Sequence, residues 1–258
     1  MLRNIVEVVE QASPHLQHVN FMQGSKAYGA HLGPYKTPAR ESDPRHLPPN
    51  FYFDQEDFVR AAQRSKDWGF SILRPNSPCG FAVGNPMNLI MVLAVYAAVC
   101  KELGLPLRFP GSPETYSMLY EVTDMGLLAR AATWAATSPR ARNEVFNVSN
   151  GDYFRWEQIW PRIAAFFGME VAPPQTLKLS ERMADKGPIW ERIVARHRLR
   201  PYPYKELVSW GYGDGRLHRH WETLMTSKIR RHGFLEFVDT EEMFMRIFQD
   251  LRDKKVIP

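Results

Sequence analysis

Cysteine is nearly absent from this chain. Its 258 residues hold only Cys79 and Cys100, too few for a disulfide framework or a zinc knuckle, so both are expected to be buried free thiols. Three catalytic signatures are missing as well. There is no G-x-x-x-x-G-K-[ST] loop to cradle a nucleoside triphosphate, no G-x-S-x-G elbow for serine hydrolysis, and no G-x-G-x-x-G turn of the kind that opens a dinucleotide-binding fold. His15 and His18 flank a proline-containing turn, and His218 and His220 would point to different helix faces, so no metal site is expected. No run approaches the ~20 apolar residues of a membrane span. Glu7 and Glu10 interrupt the N-terminal apolar run, which lacks a small-residue cleavage site, so no signal peptide is read and a cytoplasmic protein is expected.

What is present is an ordinary globular composition, 44% hydrophobic and 24% charged. The net charge of +5 would suit an anionic partner. However, the basic residues cluster only at 192–200 and 228–232, without the interleaved aromatics of a single-strand binder, so nucleic acid is not expected as a partner.

The apolar spacing of Leu2, Ile5, Val8 and Val9 predicts a helix over 2–12, stopped by Ser13-Pro14. A strand is read at 18–24, followed by an irregular loop carrying Pro34, Pro38, Pro44, Pro48 and Pro49. A helix follows at 54–66, its acidic residues placed where a helix N-terminus favours them, and then a strand at 69–75 closed by Pro75. Alternating helices and strands predict an α/β protein with a parallel sheet. Further helices are read at 86–104, at 123–139 with Thr123 as cap, and at 155–168 with Pro161 as a kink. Strands are read at 106–111 and 144–149, and short helices at 180–186, 188–197, 204–209, 217–231 and 240–253. "GYGDG" at 211–215 reads as a turn.

Two residues remain as a workable acid–base pair: Lys26, just past a strand end, and Tyr52, at a helix start. A free tyrosine titrates near ~10 and is a poor proton shuttle at neutral pH, but a nearby ammonium stabilises the phenolate. By spacing alone the pair is unremarkable, and core packing is the better account of an aromatic in "NFYFDQED".

The wording of the motifs is more specific. "GSKAYGAHLGP" (24–34) resembles the lysine-bearing motif of the progesterone 5β-reductase/iridoid synthase-like branch of the extended short-chain dehydrogenase/reductase superfamily, and "NFYFDQED" (50–57) resembles that branch's N-F-Y-Y-x-x-E-D motif. "RPNSPCGFAVGNPMNLIMVLAVYAAVCKELGLPLRFPG" (74–111), "NEVFNVSNGDYFRWEQIWPRIAAFFG" (143–168) and the C-terminal "KIRRHGFLEFVDTEEMF" through "KKVIP" are similar too, so the resemblance covers essentially the whole chain. It implies that Lys26 and Tyr52 are the catalytic pair, with Phe53 standing where the family has a second tyrosine. It further implies that NADPH, or NADH, delivers hydride to the β-carbon of an activated enone or enal, and that Tyr52 stabilises or protonates the enolate oxygen while Lys26 holds the ribose. Pro75, Asn76 and Ser77 become candidate cofactor contacts. Phe81, Met87 and Met118 become candidate linings of an apolar substrate pocket, with core packing as the alternative for each.

One departure shapes the expectation. Family members begin with βαβ units that hold the adenosine half of the cofactor, and here a single helix precedes the lysine-bearing strand. The chain is therefore expected to be a partial Rossmann-like doubly wound parallel sheet lacking ~100 or more N-terminal residues. Residues 1–110 are expected to form the remaining nucleotide-binding part with the Lys/Tyr pair. Residues 111–258 are expected to form a mostly helical substrate-binding region, with strand 144–149 returning to the sheet. Weak cofactor binding, or inactivity, of this chain is expected with it, and an open sheet edge leaves a homodimer open. Two other readings stand beside the reductase: a non-catalytic binding remnant, and a sugar-nucleotide epimerase or dehydratase. The second would favour a Y-x-x-x-K helix, whereas Glu56 follows Tyr52 at that spacing.

Overall fold

The computed structural model describes residues 1–82 and 84–258. In chain order the principal elements begin with α1 (Leu2–Ala12), β1 (His18–Met22), α2 (Phe51–Gln63), β2 (Gly69–Pro75), β3 (Pro78–Cys79), α3 (Leu89–Glu102) and β4 (Leu107–Arg108). They continue with α4 (Pro113–Ser117), β5 (Thr123–Asp124), α5 (Met125–Thr137), β6 (Glu144–Val148), α6 (Trp156–Phe167), β7 (Val171–Ala172) and α7 (Leu179–Arg182). The last are α8 (Gly187–His197), α9 (Tyr204–Leu207), α10 (Trp210–Leu217), α11 (Lys228–Arg231) and α12 (Thr240–Asp253). A 3-10 turn, Ser25–Tyr28, follows β1 after Gln23 and Gly24, and a second, Pro139–Ala141, precedes β6. Among the described residues no helix is long and apolar enough to cross a membrane.

The chain divides into two compact units. The first comprises Met1–Asn76, Met125–Gly151 and Thr223–Phe237, and the second Ser77–Asp124, Asp152–Glu222 and Val238–Pro258. The expected boundary at 110 therefore falls inside the second unit, just after β4.

The first unit is built on a parallel three-stranded sheet in the order β1-β2-β6. Asn20 lies opposite Ser71, and Leu73 opposite Phe146. β2 is buried along its whole length, as a central strand covered on both faces must be, and "GFSIL" supplies the apolar side chains for it. Its core brings Val6 of α1, Phe21 of β1, Val59 of α2, Phe70 and Ile72 of β2, and Val145 of β6 together around Trp68. The parallel register sends the C-terminal ends of β1 and β2 to the same side of the sheet, where the loops after them meet. That is where ligands sit in open α/β sheets.

The second unit is mainly helical. All but two residues of α3, from Leu89 to Cys100, are buried, and α6 and α12 pack on it through Trp156, Trp160, Phe244 and Phe248. Gly168 ends α6 at φ +63, where glycine carries no Cβ penalty.

Three expectations are corrected here. Thr123 is not the cap of the helix that follows it, because it belongs to β5, which pairs in parallel with β3. "GYGDG" is not a turn: it lies inside α10. A Cβ on Gly213 would come within 2.8 Å of Val92, so glycine there permits close helix packing against α3. Asp214 accepts hydrogen bonds from the backbone N–H groups of Leu179 (2.7 Å) and Ser180 (3.0 Å), holding the start of α7. The helix read at 217–231 is correspondingly replaced by α10 ending at Leu217 and α11 at 228–231.

Candidate active site

Gly24 ends the lysine-bearing strand region, and Lys26 sits exposed in the 3-10 turn behind it. Tyr52 lies in the first turn of α2, half-buried, with its ring 4.5 Å from that of Phe51. α2 begins at Phe51, three residues earlier than its sequence suggested, because Asn50 caps it: the Asn50 Oδ1 accepts a hydrogen bond from the Tyr52 N–H at 3.0 Å. The same side chain donates through Nδ2 to the Lys26 carbonyl at 2.9 Å. A single residue, 7% exposed, thus ties the lysine-bearing turn to the tyrosine-bearing helix.

The Tyr52 hydroxyl faces the end of β1. A Cβ built on Gly24 would lie 3.8 Å from that hydroxyl and 3.5 Å from the Pro75 carbonyl oxygen. Glycine leaves this space between phenol and carbonyl open. His31 and His46 flank the lysine, with ring centroids 5.5 Å apart, and the His46 Nε2 is 3.1 Å from the Lys26 carbonyl. Partial burial, and then the electrostatic influence of His46 and Lys26, hold His31 below its ordinary value.

Beneath the pair runs a buried polar network that the sequence reading missed. Arg74, 6% exposed at the end of β2, donates to Gln23 Oε1 (3.0 Å), to the Tyr28 hydroxyl (3.1 Å) and to Glu56 Oε2 (3.1 Å). Gln23 donates in turn to the Tyr52 carbonyl at 2.9 Å, and Tyr28 donates to Asn147 Oδ1 on β6 at 2.5 Å. Burial pushes the Tyr28 phenol above its usual value despite the adjacent guanidinium. Glu56 is therefore not a helix-dipole residue as read from the sequence. Of the acidic residues in α2 only Asp54 lies in the first turn, while Glu56 is the buried counter-charge of Arg74. Asp57 instead forms an exposed bidentate pair with Arg45 at 2.8 and 2.6 Å.

Of the other sequence candidates, Pro75 closes β2 with its carbonyl toward Gly24 and Tyr52. Asn76 is fully buried, its Nδ2 donating to the Thr223 carbonyl. Ser77, at φ +41, lies in the second unit, with its hydroxyl 3.3 Å from that of Tyr120. Phe81 and Met118, also in the second unit, are partly buried against its core, whereas Met87 is 63% exposed, which removes the core alternative for it. Cys79 and Cys100 are buried free thiols, the latter pushed up to about 11 by burial. Among the described residues no group of three or more His, Cys, Asp or Glu side chains could hold a metal ion.

A nicotinamide dinucleotide fits this geometry at one end. The open space at Gly24, the Pro75 carbonyl and the exposed Lys26 fit its nicotinamide–ribose end. For the pyrophosphate the sequence offers no glycine-rich turn between a strand and a helix.

Comparison with known proteins identifies the family and the fold. The model of the PRISE-like Rossmann-fold domain matches residues 1–258. An (S)-8-oxocitronellyl enol synthase of Camptotheca acuminata is 34% identical over 269 aligned residues, which take in 100% of this chain and 69% of that protein. A short chain dehydrogenase of Penicillium aethiopicum is 32% identical over 278, covering 100% and 74%. Among solved structures, RMD from Pseudomonas aeruginosa, complexed with NADPH, superposes with a TM-score of 0.63 at 12% identity, covering 98% of this chain and 71% of that one. UDP-glucose 4-epimerase of Thermus thermophilus, complexed with NAD, gives 0.58 at 18%, covering 97% and 68%. At such identities the structural likeness speaks for the α/β Rossmann-type fold alone.

Proposed function

The chain belongs to the family of PRISE-like Rossmann-fold domains, and from that membership we propose that it is an NAD(P)H-dependent reductase of the extended short-chain type, acting on the conjugated C=C bond of an enal or enone. The observation that carries the proposal is Asn50, whose one amide fixes the Lys26 turn and the Tyr52 helix to each other. The curated relatives are named for forming an enol, and an enol is what remains when hydride adds to the β-carbon of an enal and the carbonyl oxygen takes a proton.

When bound, NADPH supplies that hydride. Everything else falls to the chain's own residues. As the C=C electrons shift toward oxygen, negative charge collects on one atom, and a fixed phenol stabilises it there by donating a hydrogen bond or the proton itself. Tyr52 takes this role. Its hydroxyl position is set from both ends of its backbone, by the Asn50 cap at its N–H and by Gln23 at its carbonyl. Lys26 supplies a positive charge and ribose-binding donors beside it. The Pro75 carbonyl is the acceptor we assign to the nicotinamide end, and with Asn76 donating to Thr223, any cofactor contact at Asn76 runs through its backbone. Ser77 is kept as a candidate contact, and Phe81, Met87 and Met118 as substrate-selecting residues. The substrate we assign is a small apolar carbonyl compound, and the protein is placed in the cytoplasm.

The test is turnover at millimolar NADPH with an α,β-unsaturated aldehyde, NADH alongside, and the product identified. We expect a saturated aldehyde or its enol, with NADPH binding too weak for a micromolar calorimetric titration. An allylic alcohol would overturn the site of hydride addition, epimerisation of a UDP-sugar would favour the epimerase reading, and no turnover of either would favour the non-catalytic one.

Asn50 separates capping from positioning. Asn50→Ser keeps an oxygen to cap α2 but has no amide for the Lys26 carbonyl. We expect its thermal midpoint to stay close to wild type, while Asn50→Ala loses about 1 kcal/mol of stability. Both variants should lose turnover alike, and an Asn50→Ser enzyme with full kcat would show that the bond to Lys26 is dispensable.

A further inference from the structure

A cleft of about 680 Å³ opens in the first unit along β6, one of the two edge strands of its sheet, and it has no part in the proposed reaction. Two of the strand's outward backbone groups are already held by side chains. The Val145 carbonyl accepts from Lys228 Nζ at 3.1 Å, and the Asn147 N–H donates to Glu41 Oε1 at 2.7 Å. The cleft is therefore not a vacant place for another strand, and its chemistry is polar and cationic.

Four cations line it, Arg40, Arg60, Lys228 and Arg231, against two carboxylates, Glu41 and Glu144. Their pairings leave a surplus. Lys228 holds Glu144 at 2.5 Å, and Arg60 holds Glu56 at 2.8 Å. Glu41 is turned inward to the Asn147 N–H and the Thr226 hydroxyl, and burial raises its carboxyl above the ordinary range. Asp43, whose charge is felt by Arg40, is bound by Lys36 at 2.7 Å. Among the described residues no carboxylate lies within salt-bridge distance of either the Arg40 or the Arg231 guanidinium. Two exposed guanidinium forks thus face one cavity of small-molecule size, with the hydroxyls of Ser42 and Ser227 as further donors on its wall.

We propose that this cleft is a binding site for a small phosphate-bearing molecule, gripped by Arg40 and Arg231 and completed by hydroxyl donors. Planar guanidinium groups match phosphate oxygens in bidentate fashion, and a doubly charged group offsets the surplus that the cleft's own carboxylates leave.

The test is calorimetric titration of the 258-residue chain with inorganic pyrophosphate, with succinate as a dicarboxylate control. Saturable binding is expected, weakening as salt is raised, and weakened roughly tenfold or more in both Arg40→Gln and Arg231→Gln. Both side chains are exposed, so the variants should keep the wild-type thermal midpoint. Tyr52→Phe should bind pyrophosphate as wild type does, which separates this site from the catalytic pair. Absence of saturable binding, equal binding by the two arginine variants, or equal affinity for succinate would each overturn the proposal.

Discussion

Glu56→Gln should lower stability by about 3–5 kcal/mol, the cost of leaving one member of a buried ion pair without its counter-charge. For a protein of this size that amounts to a fall of roughly 10 °C in the thermal midpoint. The asymmetry of the network decides which partner matters more. Glu56 touches three guanidinium groups: Arg74 at 3.1 Å, Arg60 at 2.8 Å and Arg45 at 3.9 Å. Among the described residues Arg74 has one carboxylate, and its remaining donors go to the neutral Gln23 and Tyr28. Removing Arg74 leaves Glu56 paired with the more exposed Arg60. Removing the Glu56 charge strands Arg74 at the end of β2 with no anion beside it. Arg74→Met should therefore cost less than Glu56→Gln, and the double variant should be more stable than Glu56→Gln alone, because it no longer buries an uncompensated guanidinium. Chemical denaturation of the three variants measures this directly. Additive losses in the double variant would show that the two side chains act independently.

The same network marks the limit of what the sequence revealed. Local signals were legible where one interaction decides the outcome. Apolar spacing gave α1, a proline closed β2, and a glycine with positive φ ended α6. Lys26 and Tyr52 were singled out only through family resemblance, since nothing local distinguishes them. Arg74, Gln23, Tyr28 and Asn147 come from β2, the end of β1, the turn after it and β6, and no window of sequence contains more than two of them. Their pairing exists only once the parallel register is formed. The error at "GYGDG" has the same origin. Three glycines in a row of five argue for a turn on propensity, but packing against Val92 and the capping of α7 by Asp214 override that preference. At α2, the Asn50 cap shifts the helix start and with it the meaning of the acidic residues: Asp54 meets the helix dipole, while Glu56 faces inward.

Tyr52→Phe is expected to lower kcat for enal reduction by roughly 10²–10⁴-fold with little change in KM, the range seen when a positioned proton donor is lost. The substitution leaves the backbone contacts of residue 52 intact. The bonds that place residue 52, from Asn50 to its N–H and from Gln23 to its carbonyl, are made by its backbone, and its ring contact with Phe51 survives in phenylalanine. Only the hydroxyl facing Gly24 and the Pro75 carbonyl is removed. Stability and cofactor capture should then stay at wild-type values, and the entire loss should appear in the chemical step. Lys26→Met should behave differently. Its ammonium is assigned to both the ribose and the phenol, so NADPH binding and kcat should fall together. If both variants weakened NADPH alike while a saturating cofactor concentration restored turnover, Tyr52 would be a binding residue and the developing oxyanion would have another donor. If Tyr52→Phe turned over at the wild-type rate, the hydroxyl at the end of β1 would have no part in the reaction. The buried network beneath it would then serve the fold alone.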